Sequence, residues 1–381
     1  MKALVLYDYP PSPGGLATQG DLLYKGLMEI GIEVYPAPIR SDREKEWYYR
    51  WFKPDVAVGV GYWGHLPEIL SQTEKYGVQG VPWLVADGFV ANYRDQMNKF
   101  PLILVTSNWV KDVYVRDGVN PDLIEVLPVG FDMEAFQPRD MNEEKVKSVR
   151  EMWNIGKNEI LILTVGGDAT SKGGREVMRA LAKIDSKVPN WHYLCKIWPQ
   201  ERTIKQTNSD LALARELGIA DKVTFAMVEI SRNVMPYLFN SCDIYAGPSR
   251  LEGFGMPHVE ASASEKPVIA VDGMGFRDTL VHGKTAYLAG TEKQNVIKSA
   301  VLGRESGYPE GHNYRFPRPV VADYRASVDG IANHLLELMN DEKLRVDMGK
   351  AGRRYVEYRF NYKTVARRFL GLVSEALKRA S

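Results

Sequence analysis

The chain has 381 residues, 45% hydrophobic and 25% charged, a composition that excludes a disordered polymer and exceeds what one typical core organises, so two domains are expected. Its formal net charge is +1 with both signs interspersed, which leaves no basic field for gathering a phosphate backbone and excludes nucleic acid as an expected partner. The two cysteines, Cys195 and Cys242, lie far apart in apolar surroundings without zinc-binding spacing, and suit a reducing cytosol.

The N-terminal apolar run Ala3–Tyr7 meets Asp8 and three prolines, too short for a secretory signal, and reads as a first buried strand. No stretch approaches eighteen uninterrupted apolar residues, so a membrane-spanning helix is not expected. The expected location is the cytoplasm, with peripheral contact at the inner membrane face left open. Between Leu16 and Ile30 the apolar residues Leu16, Leu23, Leu27 and Ile30, with Gly20, recur at helical spacing. Arg43–Lys53 interleaves bases and aromatics and reads as a helix packing its aromatic face on the first domain, the alternative being an interface for anionic lipid or glycan. Asp55–Val60, Val81–Val85, Leu102–Val105 and Ile124–Leu127 are further buried strands, and Ser107–Asp117 a helix capped by its serine and closed by Gly118. This alternation predicts a doubly wound α/β sheet.

After Pro128 the rhythm gives way to a polar and charged stretch around Pro138, which marks a boundary. Strands resume at Ile160–Val165, His192–Ile197, Val223–Ala226, Asp243–Ala246 and Val268–Val271, a second parallel sheet. Arg304–Tyr324, rich in Gly, Pro, Arg, Tyr and His, reads as a long loop. Amphipathic helices Val328–Met339, Glu342–Tyr355 and Lys363–Ala380 end the chain. The expected domains are 1–150, 151–355 and a C-terminal helix, 356–381, returning to the first.

Pro248–Ser249 closes the Asp243–Ala246 strand, so the next residues emerge at the carboxyl edge, where open α/β sheets bind ligands. In Glu252-Gly253-Phe254-Gly255 the glycines permit positive φ and close backbone approach, and Pro257 suits the first turn of a helix carrying Glu260. That helix start presents unpaired N–H groups, which favour a diphosphate, while the two glutamates suit vicinal hydroxyls at either end of an extended ligand.

The block PSRLEGFGMPHVEASASEKPVIAVDGMGFRDTLVHGKTAYL resembles the C-terminal signature of the retaining glycosyltransferases of sequence family four. LVTSNWVKDVYVRDGVNPDLIEVLPVGFDMEAFQP is similar to the family's segment leaving the first domain, LTVGGDATSKGG to its phosphate loop, and PSPGGLATQGDLLYKGLMEIGIEV to its first loop and helix. The resemblance implies the GT-B fold, two Rossmann-like doubly wound domains facing across a cleft. It also implies hexose transfer from a GDP- or UDP-linked donor to a glycan, lipid-linked or small-molecule hydroxyl, with no further cofactor.

By the same resemblance Glu252 contacts the transferred sugar, Gly253, Phe254 and Gly255 flank sugar and phosphates, and Glu260 holds the ribose. Gly166 and Lys172 belong to the phosphate loop, Met227 to the backbone holding the base, and Gly14 and Gly15 to the acceptor-side loop. Departures are specific. Gly167 stands where the family places an arginine, with Lys196 the candidate substitute, and Asp87 or Gly88 stands where the family has a histidine, with His65 a rival. Met274, Gly275 and Asp278 replace a glycine pair and a glutamate.

The catalytic candidates are therefore Lys172, Glu252 and Asp87. No metal ligand set is predicted, since no Asp-x-Asp or His/Asp/Glu cluster has the spacing. An epimerase or sugar phosphorylase on the same scaffold, and an inactive nucleotide-sugar binder, are the competing expectations.

Overall fold

The computed structural model describes residues 1–86 and 88–380. Two compact units are present. The first contains Met1–Asp132, Val296–Ala322 and the chain from Arg359 onward, and the second contains Met133–Asn295 and Asp323–Tyr358.

The first unit holds β1 (Lys2–Tyr7), β2 (Glu33–Pro38), β3 (Val56–Tyr62), β4 (Gln79–Val85), β5 (Ile103–Val105) and β6 (Ile124–Val126), in the order β2-β1-β3-β4-β5-β6. All the described pairings are parallel. Buried runs such as Ala3–Tyr7 explain this, because helices cover both faces of a parallel sheet. β2, which the apolar pattern does not announce, carries Pro36 and Pro38. It pairs with β1 alone among the described strands, and a strand at a sheet edge tolerates residues without an N–H.

The helix Gly15–Glu29 follows β1, and Gly26 lets it approach the C-terminal helix Tyr362–Ala380, since a β-carbon at Gly26 would lie 2.8 Å from Tyr362 O. Ser107 caps Asn108–Arg116 through its side chain and Gly118 ends the turn at φ +105°. In the helix Asp42–Trp51, Tyr49 packs inward, whereas Trp47 and Trp51 are each 54% exposed and stack on each other. The predicted inward aromatic face is thus only partly inward. The buried head of Lys45 explains why: it donates to Ile39 O, Glu68 O and Ser71 Oγ and orients the helix about that point.

The second unit holds β7 (Ile160–Val165), β8 (Trp191–Ile197), β9 (Val223–Met227), β10 (Ile244–Ala246), β11 (Val268–Val271) and β12 (Ala286–Ala289), in the order β12-β11-β10-β7-β8-β9. Its strand pairings are also parallel. The order reverses at β7, so the edge after β7 and β10 is a topological switch point. Cys195 and Cys242 are buried, and burial pushes both thiols up to about 12, leaving them unreactive.

The stretch expected to be a loop is instead the tip and second strand of a ribbon, β13 (Thr291–Leu302) with β14 (His312–Ala326). Pro317 and Pro319 argue against a strand inside a sheet, but a ribbon of two strands consists of edges alone. Its distal part packs within the first unit: Tyr62 Oη donates to Glu305 O at 3.0 Å, Asn92 Nδ2 to Ser306 O at 3.1 Å and Tyr308 Oη to Ala91 O at 2.8 Å. At its base, Tyr324 N donates to Arg250 O at 2.7 Å within the second unit.

Candidate functional site

At the carboxyl edge of β7 the chain turns through Gly166–Gly173 into the helix Gly174–Ile184. Asp168 shapes this loop, accepting from Ser171 N at 2.6 Å and Ser171 Oγ at 2.8 Å. Arg250 N donates to Ser171 O at 2.9 Å, and Arg250 pairs with buried Glu176 in the helix's first turn at 2.8 Å. The phosphate-type loop is thereby joined to the segment leaving β10. Gly173 sits at φ +79° with Pro248 O where a β-carbon would be.

Lys172 lies across Gly166, which explains that glycine: any side chain there would collide with Lys172 Cγ. Lys172 Nζ donates to Glu252 Oε2 at 2.8 Å, and Gly255 N donates to Glu252 Oε1 at 3.2 Å. Burial pushes the Glu252 carboxyl up, but the charge and hydrogen bond of Lys172, with His258 and the Gly255 N–H, leave it below the usual range. Glu252 is therefore an anion facing a cation. Its backbone is held by the altered segment, since Glu252 N donates to Met274 Sδ at 3.3 Å and Gly275 N to Glu252 O at 3.2 Å. Met274, standing where the family has a glycine, supplies part of this anchor.

Gly255, at φ +87°, begins the helix Met256–Ala263 with Pro257 in its first turn. A β-carbon at Gly255 would stand 2.8 Å from Phe276 Cε1. Phe254, expected beside the donor, is buried, and its carbonyl accepts from Thr279 Oγ1 at 3.3 Å. It anchors the turn. Glu260 is buried on the same helix and ion-pairs with Arg232, whose guanidinium lies 4.6 Å from the Phe136 ring centre. Burial raises the Glu260 carboxyl above its ordinary range, with Arg232 opposing. Arg353 holds the far end of that helix by donating to Ala263 O at 2.8 Å.

Residues 146–303 match the family model of glycosyl transferases, group 1. The chain is 28% identical over 189 residues to the D-inositol 3-phosphate glycosyltransferase of Rhodococcus erythropolis, a match covering 49% of this chain and 41% of the relative. It is 31% identical over 190 residues to that of Mycobacterium marinum, covering 48% and 39%. The matched region thus spans about two fifths of the length of these curated relatives. The crystal structure of Anabaena HepE in complex with UDP and glucose superposes with a TM-score of 0.73 at 15% identity, covering 98% of this chain and all of that one. The chain carries a group 1 glycosyl transferase domain. Its architecture is the GT-B fold.

In this glycosyl transferase domain the sequence motifs missed two residues that the geometry places beside the glutamates. Arg232 comes from the loop after β9 and carried no local signal. His258 lies inside the motif but had no role there. It is buried between Tyr245 and Phe276, with Nε2 2.5 Å from Gly247 O and Nδ1 unpaired. Burial first of all drives its pKa down from 6.5 to about 4, despite the pull of Glu252. It is neutral at pH 7. The unfolded chain then binds a proton between about pH 6.5 and 4 that the folded one refuses, so this stability is present above 6.5 and lost as pH falls. His258→Leu should flatten that acid limb by roughly 1–3 kcal/mol. Urea unfolding at pH 7 and 4.5 measures it; equal losses for both proteins would remove His258 as the cause.

Met227 ends β9 at the same edge, and Val228 N donates to Ile197 O at 3.2 Å. Lys196 is the penultimate residue of β8, its O accepting from Gly166 N at 3.0 Å. The structure thus gathers Gly166, Lys172, Lys196, Met227, Glu252, Gly253, Gly255 and Glu260 on elements meeting at one sheet edge.

The remaining candidates belong to the first unit. Gly14 caps the helix Gly15–Glu29 with its O accepting from Thr18 Oγ1 at 2.9 Å. His65 follows β3, its ring against Tyr62 and its Nδ1 buried without a partner. Burial lowers its pKa, with Glu68, Arg40 and Asp8 acting on it electrostatically. A cavity of about 420 Å³ beside β1 and β2 is lined by Asp8, Tyr9, Ser12 and Arg40 among others. Asp87 lies outside the described residues. Among those described, no group of three or more His, Cys, Asp or Glu converges as a metal site, and no helix is long and apolar enough to cross a membrane.

Proposed function

We propose that this protein transfers a hexose from a nucleoside diphosphate sugar to a hydroxyl acceptor, with retention of configuration and without a metal ion. The observation that carries the reading is the contact of Lys172 Nζ with Glu252 at 2.8 Å beside the Gly255 N–H. It sets a cation, a hydroxyl-accepting carboxylate and a helix start at one edge. The UDP and glucose held by Anabaena HepE, and the sugar transfer named for the curated relatives, support it.

In the proposed reaction the bond from the anomeric carbon to the diphosphate oxygen breaks, and Lys172 with the N–H groups near Gly255 stabilises the charge that develops there. The acceptor oxygen bonds to the anomeric carbon on the same face, and its proton passes to the leaving phosphate oxygen. No protein nucleophile is consumed. Glu252 orients sugar hydroxyls, Glu260 the ribose, and the backbone near Met227 the base. Gly14, Gly15, His65 and Asp87 are proposed to face the acceptor, whether glycan, lipid-linked or small molecule. We place the reaction in the cytoplasm, with peripheral membrane contact through exposed Trp47 and Trp51 as a test of where the acceptor resides.

The second reading, a nucleotide-sugar binder without catalysis, is favoured by one observation, the uncharged Gly167. Incubation with GDP-mannose, UDP-glucose or UDP-N-acetylglucosamine separates the two. Transfer predicts thermal stabilisation by one donor and release of its diphosphate only when acceptor is added. Stabilisation without release in any acceptor mixture would leave the binder. Chelation should not change the rate; activity abolished by a chelator and restored by a divalent ion would overturn the metal-independent mechanism.

A further inference from the structure

Glu260 is 4% exposed, and burial by itself would take the charge off its carboxyl. What opposes this is Arg232, through its positive charge and its hydrogen bond to Oε1. The neighbouring ionisable groups bring no such charge. Burial keeps the phenol of Tyr245 on β10 protonated, His258 on the same helix is neutral at pH 7, and the anion of Glu252 is matched by Lys172.

The seat of Arg232 is built by three contacts. Ser231 O accepts from Val234 N at 3.0 Å and Met235 N at 3.2 Å, which fixes the turn that carries the arginine beyond the Met227 segment. The guanidinium lies 4.6 Å from the ring centre of fully buried Phe136, and a planar cation stacks favourably on an aromatic face. Arg353 Nη1 donates to Phe136 O at 2.7 Å and to Ala263 O at 2.8 Å, so that ring and the helix bearing Glu260 are tied together. Arg150 shows what a structural arginine does in this unit: it is buried, and its guanidinium donates to Ser241 O, Asp243, Gly156 O and Glu159 O. Arg232 keeps 40% of its side chain exposed, and among the described residues its guanidinium hydrogen-bonds to Glu260 alone. The fold spends this arginine on one carboxylate.

Resting on the donor reading above, we propose that Arg232 is a positioning residue for the nucleoside: it holds Glu260 so that the carboxylate accepts hydrogen bonds from the ribose 2′- and 3′-hydroxyls. An ionised carboxylate accepts at both oxygens, whereas a protonated carboxyl must itself donate from one of them. Without the guanidinium the buried group takes up its proton at a higher pH, and the diol loses an acceptor.

The test is titration calorimetry of the full chain, as wild type, Arg232→Met and Arg232→Lys, with UDP and GDP and with their 2′,3′-dideoxy counterparts. At pH 7 Arg232→Met should weaken the preferred ribonucleotide about 10-fold or more and its dideoxy counterpart by less than about threefold. Binding of the dideoxynucleotide also shows that the variant is folded. As the pH is lowered, Arg232→Met should lose its remaining preference for ribose at a higher pH than wild type does, and Arg232→Lys, which keeps the charge, should restore the wild-type profile. Equal losses for ribo- and dideoxynucleotide, an unaltered pH profile in Arg232→Met, or tighter binding by that variant would make Arg232 a structural or competing group and overturn the proposal. Wild type that binds neither nucleotide would sink the donor reading itself, whereas wild type that binds one without distinguishing ribose from dideoxyribose sinks only this one.

Discussion

Lys172→Ala should lower the rate of sugar transfer by about 100-fold or more, comparable with removing one preorganised donor from a developing anion. The cation is placed by two features that a substitution cannot supply elsewhere: Gly166 gives its stem passage, and Glu252 holds its head at 2.8 Å. Removing it also strips the partly buried Glu252 of the charge that keeps its carboxyl low. The measurement must therefore separate the two effects. Lys172→Ala with Glu252→Gln should be little worse than Lys172→Ala alone if they act as a unit, because the effects of coupled residues do not add. Donor affinity by calorimetry, beside turnover, distinguishes lost binding from lost chemistry. An unchanged rate would take Lys172 out of the site.

Gly173→Ala is the second large effect, and it acts on stability and affinity together. At φ +79° an alanine is strained, and its β-carbon falls on Pro248 O, a backbone atom that cannot rotate away. The loop carrying Lys172 must then move from the segment carrying Glu252. A loss of about 2–4 kcal/mol is expected, together with weaker donor binding. Gly167→Ala is the control, since its β-carbon meets only the Trp198 ring at ordinary contact distance. Denaturant unfolding and donor titration of both variants test this. A Gly173→Ala protein as stable as wild type would contradict the proposed fit between loop and segment.

Much of this sheet edge was legible because its signals are local. Gly253 and Gly255 announce a turn, and Pro257 the first turn of a helix. The cap at Ser107 and the close at Gly118 need only their own neighbours. Two strands escaped for the opposite reason: β2 contains two prolines that only an edge position excuses, and β12 is four residues of unremarkable composition. The ribbon escaped because its strands bury so few side chains that no alternation develops.

Apolar period, glycine and proline act over a few residues, and they were enough to announce two doubly wound sheets and a glycine-rich turn at a carboxyl edge, while the family came from the resemblance of the Pro248–Leu288 block as a whole. Which charges meet was settled only by packing. Lys172 finds Glu252 eighty residues away, Glu260 finds Arg232, and His258 is neutralised by burial. Pairing and desolvation depend on the groups that the fold brings together and on the water it removes, and neither is a property of neighbours along the chain.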